Sequence, residues 1–159
     1  MNQPLRQDDD VYVDVTVGIS RERAFEVYTR QLDSWWLRDH HIGKAPLKEV
    51  CMEPRLGGRL YEKGIDGSEC DWGMVLTWEP PARLVFAWQI NAEWAYEPEL
   101  ARSSEVEVRF TALGPKQTRV ELIHRHFERH GDGAEAMRQG VKRGWPTLMG
   151  LFAAAAQGS

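Results

Sequence analysis

The sequence predicts an α+β fold in which one long C-terminal helix lies on a single antiparallel sheet of six or seven strands. Residues 103–127 alternate between apolar and charged or polar side chains, which is typical of strands with one buried face and one wet face. The last segment carries apolar residues three or four positions apart, which places them on one face of a helix. The members of this stripe are Met137, Val141, Trp145, Leu148, Phe152 and Ala156. A helix and a sheet of this kind are expected to pack together and can enclose a cavity.

The length and charge of the chain limit the classes of protein to which it can belong. Its 159 residues are expected to form a single domain spanning 1–159, with residues 1–9 flexible. The net charge of −4 and the dispersed basic residues argue against nucleic-acid binding, which needs a concentrated basic face. Cys51 and Cys70 lack metal-ligand spacing and are predicted to be free thiols. Because the N-terminus lacks a signal-peptide core and no apolar run could span a bilayer, we expect a cytoplasmic protein without membrane association.

The N-terminal part of the chain predicts one strand followed by two short helices. Residues 11–17 alternate valine with tyrosine, aspartate and threonine, which is the pattern of a strand with one buried face. Ser20 suits a helix N-cap, because its hydroxyl can accept a hydrogen bond from an amide of the next turn. Trp35 and Trp36 extend the apolar side of this helix pair, and one of them is expected to face inward.

The middle of the chain predicts four short strands after a loop at residues 37–47. The predicted strands are 48–53, 58–63, 71–78 and 83–90. They are separated by residues that favour turns, namely Pro54 with Gly57 and Gly58, Asp66 with Gly67, and Pro80 with Pro81. This spacing indicates a meander of neighbouring antiparallel strands.

The last third predicts a lid, two long strands and the final helix. The connection 91–102 carries Trp94 and Tyr96, and a loop with two large aromatic side chains is a candidate to cover a cavity. The two strands are predicted at 103–113 and 117–127. Asp132 is the predicted N-cap of the helix, and Pro146 predicts a kink within it.

Several segments in order resemble one known family. They are SRERAFEVYTRQLDSWW from Ser20, MEPRLGGRLYEKG from Met52, WGMVLTWEPPARLVFAWQ from Trp72, TRVELIHRHF from Thr118 and GWPTLMGLFAA from Gly144. Together they resemble the activator of heat-shock-protein-90 ATPase homologue-like family. This family is a branch of the START-like, or SRPBCC, superfamily, which shares the birch-pollen-allergen fold. The likeness covers nearly the whole chain.

The resemblance implies a helix-grip fold, in which a curved antiparallel sheet wraps around a long C-terminal helix and an apolar cavity lies between them. Two short helices are expected after the first strand. The superfamily includes lipid carriers, aromatic-polyketide cyclases and hormone receptors. The fold alone therefore does not choose a function.

Aromatic side chains on the strands supply the predicted ligand wall. Alternate residues of a strand share a face, so Trp72, Met74, Leu76 and Trp78 are expected to point inward together. The predicted ligand-binding residues are Trp72, Met74, Phe86, Trp88, Trp94, Phe110, His124, His126, Trp145 and Met149. The alternative for most of these aromatic residues is that they fill the core.

Two histidines on the last strand are the predicted polar anchors of the ligand. Val120 and Leu122 mark the inner face of this strand, and His124 and His126 follow at the same parity. The alternative places His126 in solvent at the strand end and pairs His124 with a neighbour. An HxH metal pair would need further ligands, which no spacing nominates, so we predict no metal site.

Charged residues on the last two strands predict a solvated outer face with cross-strand charge pairs. These residues are Glu105, Glu107, Arg109, Arg119 and Glu121.

From the sequence we expect a non-enzymatic binding protein that holds a small apolar or aromatic molecule in the cavity, without a cofactor. One alternative is an interaction module that acts on a chaperone or another protein partner through its surface. A second alternative is a cofactor-free cyclase or hydrolase that uses His124, His126 or Glu53. A homodimer is also left open.

Overall fold

A computed structural model describes residues 9–158, so most of the segment predicted to be flexible lies outside the described residues. Seven strands form one antiparallel sheet in the order β1-β7-β6-β5-β4-β3-β2. The strands are β1 (Val11–Val17), β2 (Leu47–Met52), β3 (Arg59–Gly64), β4 (Glu69–Glu79), β5 (Arg83–Trp88), β6 (Ser104–Gly114) and β7 (Gln117–Arg125). Strands β2 to β7 are thus neighbours in chain order, and β1 pairs with β7 and forms the other edge of the sheet.

Two α-helices pack on the inner face of this curled sheet, which confirms the predicted helix-grip fold. Helix α1 spans Arg21–Thr29, and helix α2 spans Ala134–Gln157. The Ser20 hydroxyl accepts a hydrogen bond from the Arg23 amide at 3.2 Å, which confirms the predicted N-cap. A 3₁₀ turn at Leu32–Ser34 follows α1 as the second short helix.

The apolar stripe of α2 is buried as predicted, and Met149 joins it in the core. The helix continues through Pro146. The predicted cap is wrong: the helix begins after Gly133, and no side chain caps it. The reason is a 3₁₀ segment, Phe127–Gly133, which carries the chain past Asp132 before α2 begins.

The prediction that alternate residues of β4 share one inner face is also wrong. Leu60 pairs with Gly73 and Tyr61 pairs with Asp71, so Trp72 is an extra residue opposite β3. A second register shift makes Leu76 an extra residue opposite β5. Each β-bulge reverses the alternation of side chains that follows it. As a result Trp72 and Val75 both lie in the core, whereas Met74 is only half-buried and outside it.

The outer face of the sheet carries the predicted charge pairs, but its centre is not solvated. Glu107 is 1% exposed. It accepts hydrogen bonds from Arg83 and Arg109 at 2.6 Å and from Arg125 at 2.7 Å. Burial alone would raise the pKa of Glu107, but the three guanidinium groups outweigh it and lower the pKa to about 2. The arginine side chains take the place of water around this carboxylate.

Candidate functional site

A cavity of about 360 Å³ lies between the inner face of the sheet, helix α2 and the loop that follows the first 3₁₀ turn. Its apolar lining consists of Trp36, Ile42, Trp72, Trp88, Ile90 and Leu148. Its polar lining consists of Asp39, His40, His41, Glu62 and Arg143. The volume lies within the range of about 300–1,000 Å³ that is usual for small-molecule sites.

Four tryptophans form a closed ring at this cavity, which we call the indole quartet: Trp36, Trp72, Trp88 and Trp145. The ring centres of Trp36 and Trp72 are 5.4 Å apart, and those of Trp72 and Trp88 are 5.7 Å apart. Trp145 lies 5.6 Å from Trp88 and 6.4 Å from Trp36, which completes the ring. The first three indoles line the cavity, and Trp145 supports them from the core.

Trp94 lies at the edge of the same cavity and is 47% exposed. Its backbone is left-handed, with φ of 57°, in a loop whose Glu93 and Ala95 amides donate to the Asn91 side chain. A Cβ atom on Gly140 of α2 would lie 3.0 Å from the Trp94 indole, so the absence of a side chain lets the indole rest on the helix. This position suits the predicted lid, and its closing action stays a prediction.

The polar wall is organised around Glu62 of β3, which is 6% exposed. Its carboxylate accepts hydrogen bonds from the Ile42 amide at 3.1 Å and from the Gly43 amide. His41 Nδ1 lies 2.9 Å from the Gly43 carbonyl oxygen. Because a carbonyl only accepts, Nδ1 carries the proton, and Nε2 is the basic nitrogen of the neutral ring. The Ile42 and Gly43 amides thus hold this loop against Glu62. We call the polar lining residues the polar wall: Asp39, His40, His41, Glu62 and Arg143.

His124 is fully buried beside the indole quartet rather than open to the cavity. The Trp145 indole N–H donates to His124 Nδ1 at 3.0 Å, and Ser104 Oγ lies 2.7 Å from His124 Nε2. Ser104 Oγ also lies 2.8 Å from His130 Nε2. Burial, together with the neighbouring His130, holds the pKa of His124 well below its usual value. Both ring nitrogens are therefore already engaged within the protein.

The second predicted anchor, His126, does not face the interior. Strand β7 ends at Arg125, and His126 adopts a left-handed conformation with φ of 67°. Its side chain is 40% exposed and lies 3.5 Å from Glu128. The structure thus corrects the prediction of a shared inner face and agrees with the alternative, in which His126 is in solvent and His124 is paired. The cause is the left-handed residue, which ends the alternation.

The structure brings only some of the predicted ligand-binding residues to the cavity. Those on its lining are Trp72, Trp88 and Trp94. Phe86, Trp145 and Met149 are buried in the adjoining core. Phe110 packs instead on Phe25 and Tyr28 of α1. Met74 lies outside the core because of the first β4 bulge.

Sequence reasoning missed Trp36, Glu62 and the polar loop. Glu62 shares the parity of Leu60 in β3, and both are buried, so strict alternation would have placed it inside. Trp36 was ambiguous because it adjoins a second tryptophan, and both prove to be buried. For the loop no sequence signal fixes which side chains turn inward. Its shape depends on the amides that bind Glu62.

The curled sheet, the long helix and the indole-lined cavity define a START-like protein of the helix-grip class. The chain belongs to the family described as "Activator of Hsp90 ATPase homolog 1-like protein", whose model matches residues 19–157. No protein of curated function matches the sequence. Within residues 9–158, no helix is long and apolar enough to cross a membrane.

Solved structures similar to this chain differ in their described roles. One is described as the anthrahydroquino-gama-pyrone synthase Txn09 complexed with SUM; it is 40% identical, with 91% of this chain and 95% of that chain covered and a TM-score of 0.66. The self-sacrificing resistance protein CalC from Micromonospora echinospora is 30% identical, with 92% and 93% covered and a TM-score of 0.66. The Aha1 dimer from Colwellia psychrerythraea is 13% identical, with 93% and 96% covered and a TM-score of 0.63, which shows the fold alone.

Proposed function

We propose that this chain binds a planar, oxygen-bearing polycyclic molecule in the indole-lined cavity. The observation that carries the proposal is the arrangement of Trp36, Trp72 and Trp88 around one cavity. Indole faces and edges bind flat ring systems through apolar burial and favourable aromatic geometry. A flat ring system of this kind would pack against the three indoles that line the cavity.

The polar wall favours a ligand that carries oxygen over a plain hydrocarbon. His41 and Arg143 offer hydrogen-bond donors or acceptors at the same cavity, and Arg143 is exposed there. The relative that is 40% identical is described as a synthase of an anthrahydroquino-gama-pyrone, which is a planar, oxygenated ring system. This likeness supports the proposed ligand class.

Calorimetric titration with 1,8-dihydroxyanthraquinone tests the proposal. We expect a saturable complex with a Kd of about 1 to 100 μM, corresponding to roughly 5.5 to 8 kcal/mol. Trp72→Ala should weaken binding at least about tenfold, because it removes one wall of the site. Trp78→Ala is the matched control: Trp78 lies on the same strand but packs against Phe25, away from the cavity. Absence of binding, or equal losses in both folded variants, would contradict the proposal.

A second candidate function is cofactor-free ring closure in the same cavity. It is favoured by the synthase description of the 40% identical structure and by the basic Nε2 of His41 on the cavity lining. In closing a γ-pyrone from an ortho-hydroxyaryl 1,3-diketone, such a base takes the phenol proton and the ring forms with loss of water. The earlier candidates His124, His126 and Glu53 do not line this cavity.

Chromatography with mass detection distinguishes binding from catalysis. With a binding protein, an ortho-hydroxyaryl 1,3-diketone closes its ring no faster than in buffer alone. This is the outcome expected for a non-enzymatic role. Turnover that is lost in His41→Gln and kept in His126→Gln, with both variants folded, would establish the catalytic alternative.

A further inference from the structure

We infer that the indole N–H of Trp88 is the donor that binds a ketone or quinone oxygen of the ligand. Trp88 lines the cavity and is only 5% exposed. Within the described residues its Nε1 is buried and has no hydrogen-bond partner. A buried indole N–H normally finds an acceptor, because burial without one forfeits the hydrogen bond it makes to water.

None of the rings packed against Trp88 can supply that acceptor. Trp72 and Trp145 contact it edge to face, and an indole offers a donor but no acceptor nitrogen. The His124 ring centre is 5.2 Å away. However, His124 Nδ1 accepts from Trp145, and its Nε2 is bonded to Ser104. No protein group among the described residues accepts from Trp88, and we assign that role to a ligand of the cavity that Trp88 lines.

Two other buried indoles have found an acceptor within the protein, in contrast to Trp88. Trp35 donates to the Val27 carbonyl at 3.0 Å, and Trp36 donates to the His40 carbonyl at 2.8 Å. Two further buried polar atoms lack partners in the described residues, Arg21 Nε and Tyr28 Oη, but neither residue lines this cavity. Of the three buried unpaired side-chain atoms among the described residues, only Trp88 Nε1 belongs to a residue that lines this cavity.

This inference rests on the proposed function and narrows its ligand class. A single indole N–H matches one carbonyl oxygen in the plane of a flat ring system. The preferred ligands are thus polycyclic ketones and quinones rather than hydrocarbons of the same shape. Burial of both partners makes this bond a source of specificity, since a ligand without the oxygen leaves the N–H unpaired.

Xanthone and xanthene test the inference, because they differ by one carbonyl group at the central ring. Calorimetry measures the affinity of each compound. The affinity for xanthone divided by that for xanthene should fall about fivefold or more in Trp88→Phe, which keeps an aromatic ring and removes the N–H. Trp35→Phe is the matched control: its N–H is already bonded to the Val27 carbonyl and it does not line the cavity, so the ratio should stay unchanged. The carbonyl stretching frequency of bound xanthone should be lower with the unsubstituted protein than with Trp88→Phe.

A measurement on the unsubstituted protein removes any dependence on the folding of a variant. With ¹⁵N-labelled tryptophan, the Trp88 indole proton should shift downfield on addition of xanthone and not on addition of xanthene. Suppose that both compounds bind, that the Trp88 indole resonance shifts equally with each, and that Trp88→Phe leaves the affinity ratio unchanged. The inference about Trp88 is then overturned, while the cavity function stands. If neither compound binds, the proposed function fails and this inference fails with it.

Discussion

His124 shows how the surrounding residues fix one buried imidazole in a single form. The Trp145 indole can only donate, so His124 Nδ1 must accept and the ring proton is on Nε2. Nε2 then donates to Ser104, whose own proton is directed to His130 Nε2. A second proton on His124 would have to break the bond to Trp145. The neutral ring is therefore part of the folded structure.

This arrangement predicts a loss of stability in mild acid. Burial lowers the pKa of both His124 and His130 in the folded chain. In the unfolded chain each histidine takes up a proton below pH of about 6.5, so the unfolded state binds more protons there. The free energy of unfolding should therefore fall as the pH drops below about 6.5, by up to about 1.4 kcal/mol per pH unit for the fully buried His124 and by less for the half-buried His130.

Urea unfolding at pH 7.5, 6.5 and 5.5 measures this slope. His124→Gln should reduce it, because this variant removes the fully buried imidazole. An unfolding free energy that is flat across this range would show that His124 does not stay neutral in the folded chain.

The buried carboxylate of Glu107 makes a separate prediction on the outer face. Glu107→Gln leaves three arginines without their shared partner, and we expect a loss of about 3 kcal/mol in the free energy of unfolding. Glu105→Gln is the control on the same strand, since its bond to Arg129 lies near the surface and should contribute less than about 1 kcal/mol. Chemical denaturation at pH 7 compares the two. Equal losses would mean that the burial of Glu107 has no energetic consequence.

At the scale of elements, α2 could be predicted from the sequence and β4 could not. The helical stripe repeats over more than five turns, so one irregular position does not disturb its phase. A strand has only a two-residue repeat, and each bulge in β4 reverses it without a proline or a glycine pair to mark the place. Trp72 and Trp88 line the cavity, whereas the first bulge places Met74 outside the core.

The Trp94 indole lies close to Gly140 of α2, and the role of this contact in the predicted lid can be tested. Gly140→Leu places a side chain where the Trp94 indole rests and should weaken binding of 1,8-dihydroxyanthraquinone about tenfold or more. The melting temperature should not fall, because leucine favours a helix over glycine by up to about 1 kcal/mol. Gly150→Leu is the matched control on the same helix, where an added Cβ meets nothing within 4 Å.

Calorimetry and thermal unfolding of both variants give the answer. Unchanged affinity in Gly140→Leu, with the fold intact, would show that the Trp94 contact does not control access to the cavity.

At the scale of the whole molecule, membership of the family does not decide the activity of this chain. The Aha1 dimer is 13% identical in sequence, so the likeness to it shows the fold alone. The properties of the cavity depend on the side chains of this chain, which a shared fold does not determine. The single-domain organisation over 1–159, the cytoplasmic location and any protein partner or homodimer stay predictions.

We predict that the protein does not accelerate the ATPase of the heat-shock-protein-90 homologue of its host. The physical reason is that its distinctive side chains converge on an interior cavity rather than on an outer surface. A coupled ATPase assay with purified proteins measures the effect. Stimulation of several-fold that is lost on charge reversal of Glu105, and kept in Trp72→Ala, would favour the surface-interaction alternative instead.

The close spacing of the indole quartet also affects the tryptophan fluorescence of the protein. Ring centres 5.4 to 6.4 Å apart are close enough for electronic excitation to pass between the indoles before light is emitted. Trp35 lies 5.9 Å from Trp36, so this exchange includes five of the seven tryptophans. A coloured ring system seated against any one of them would therefore draw excitation from all five. The ultraviolet fluorescence of the whole chain then reports whether one small cavity is filled.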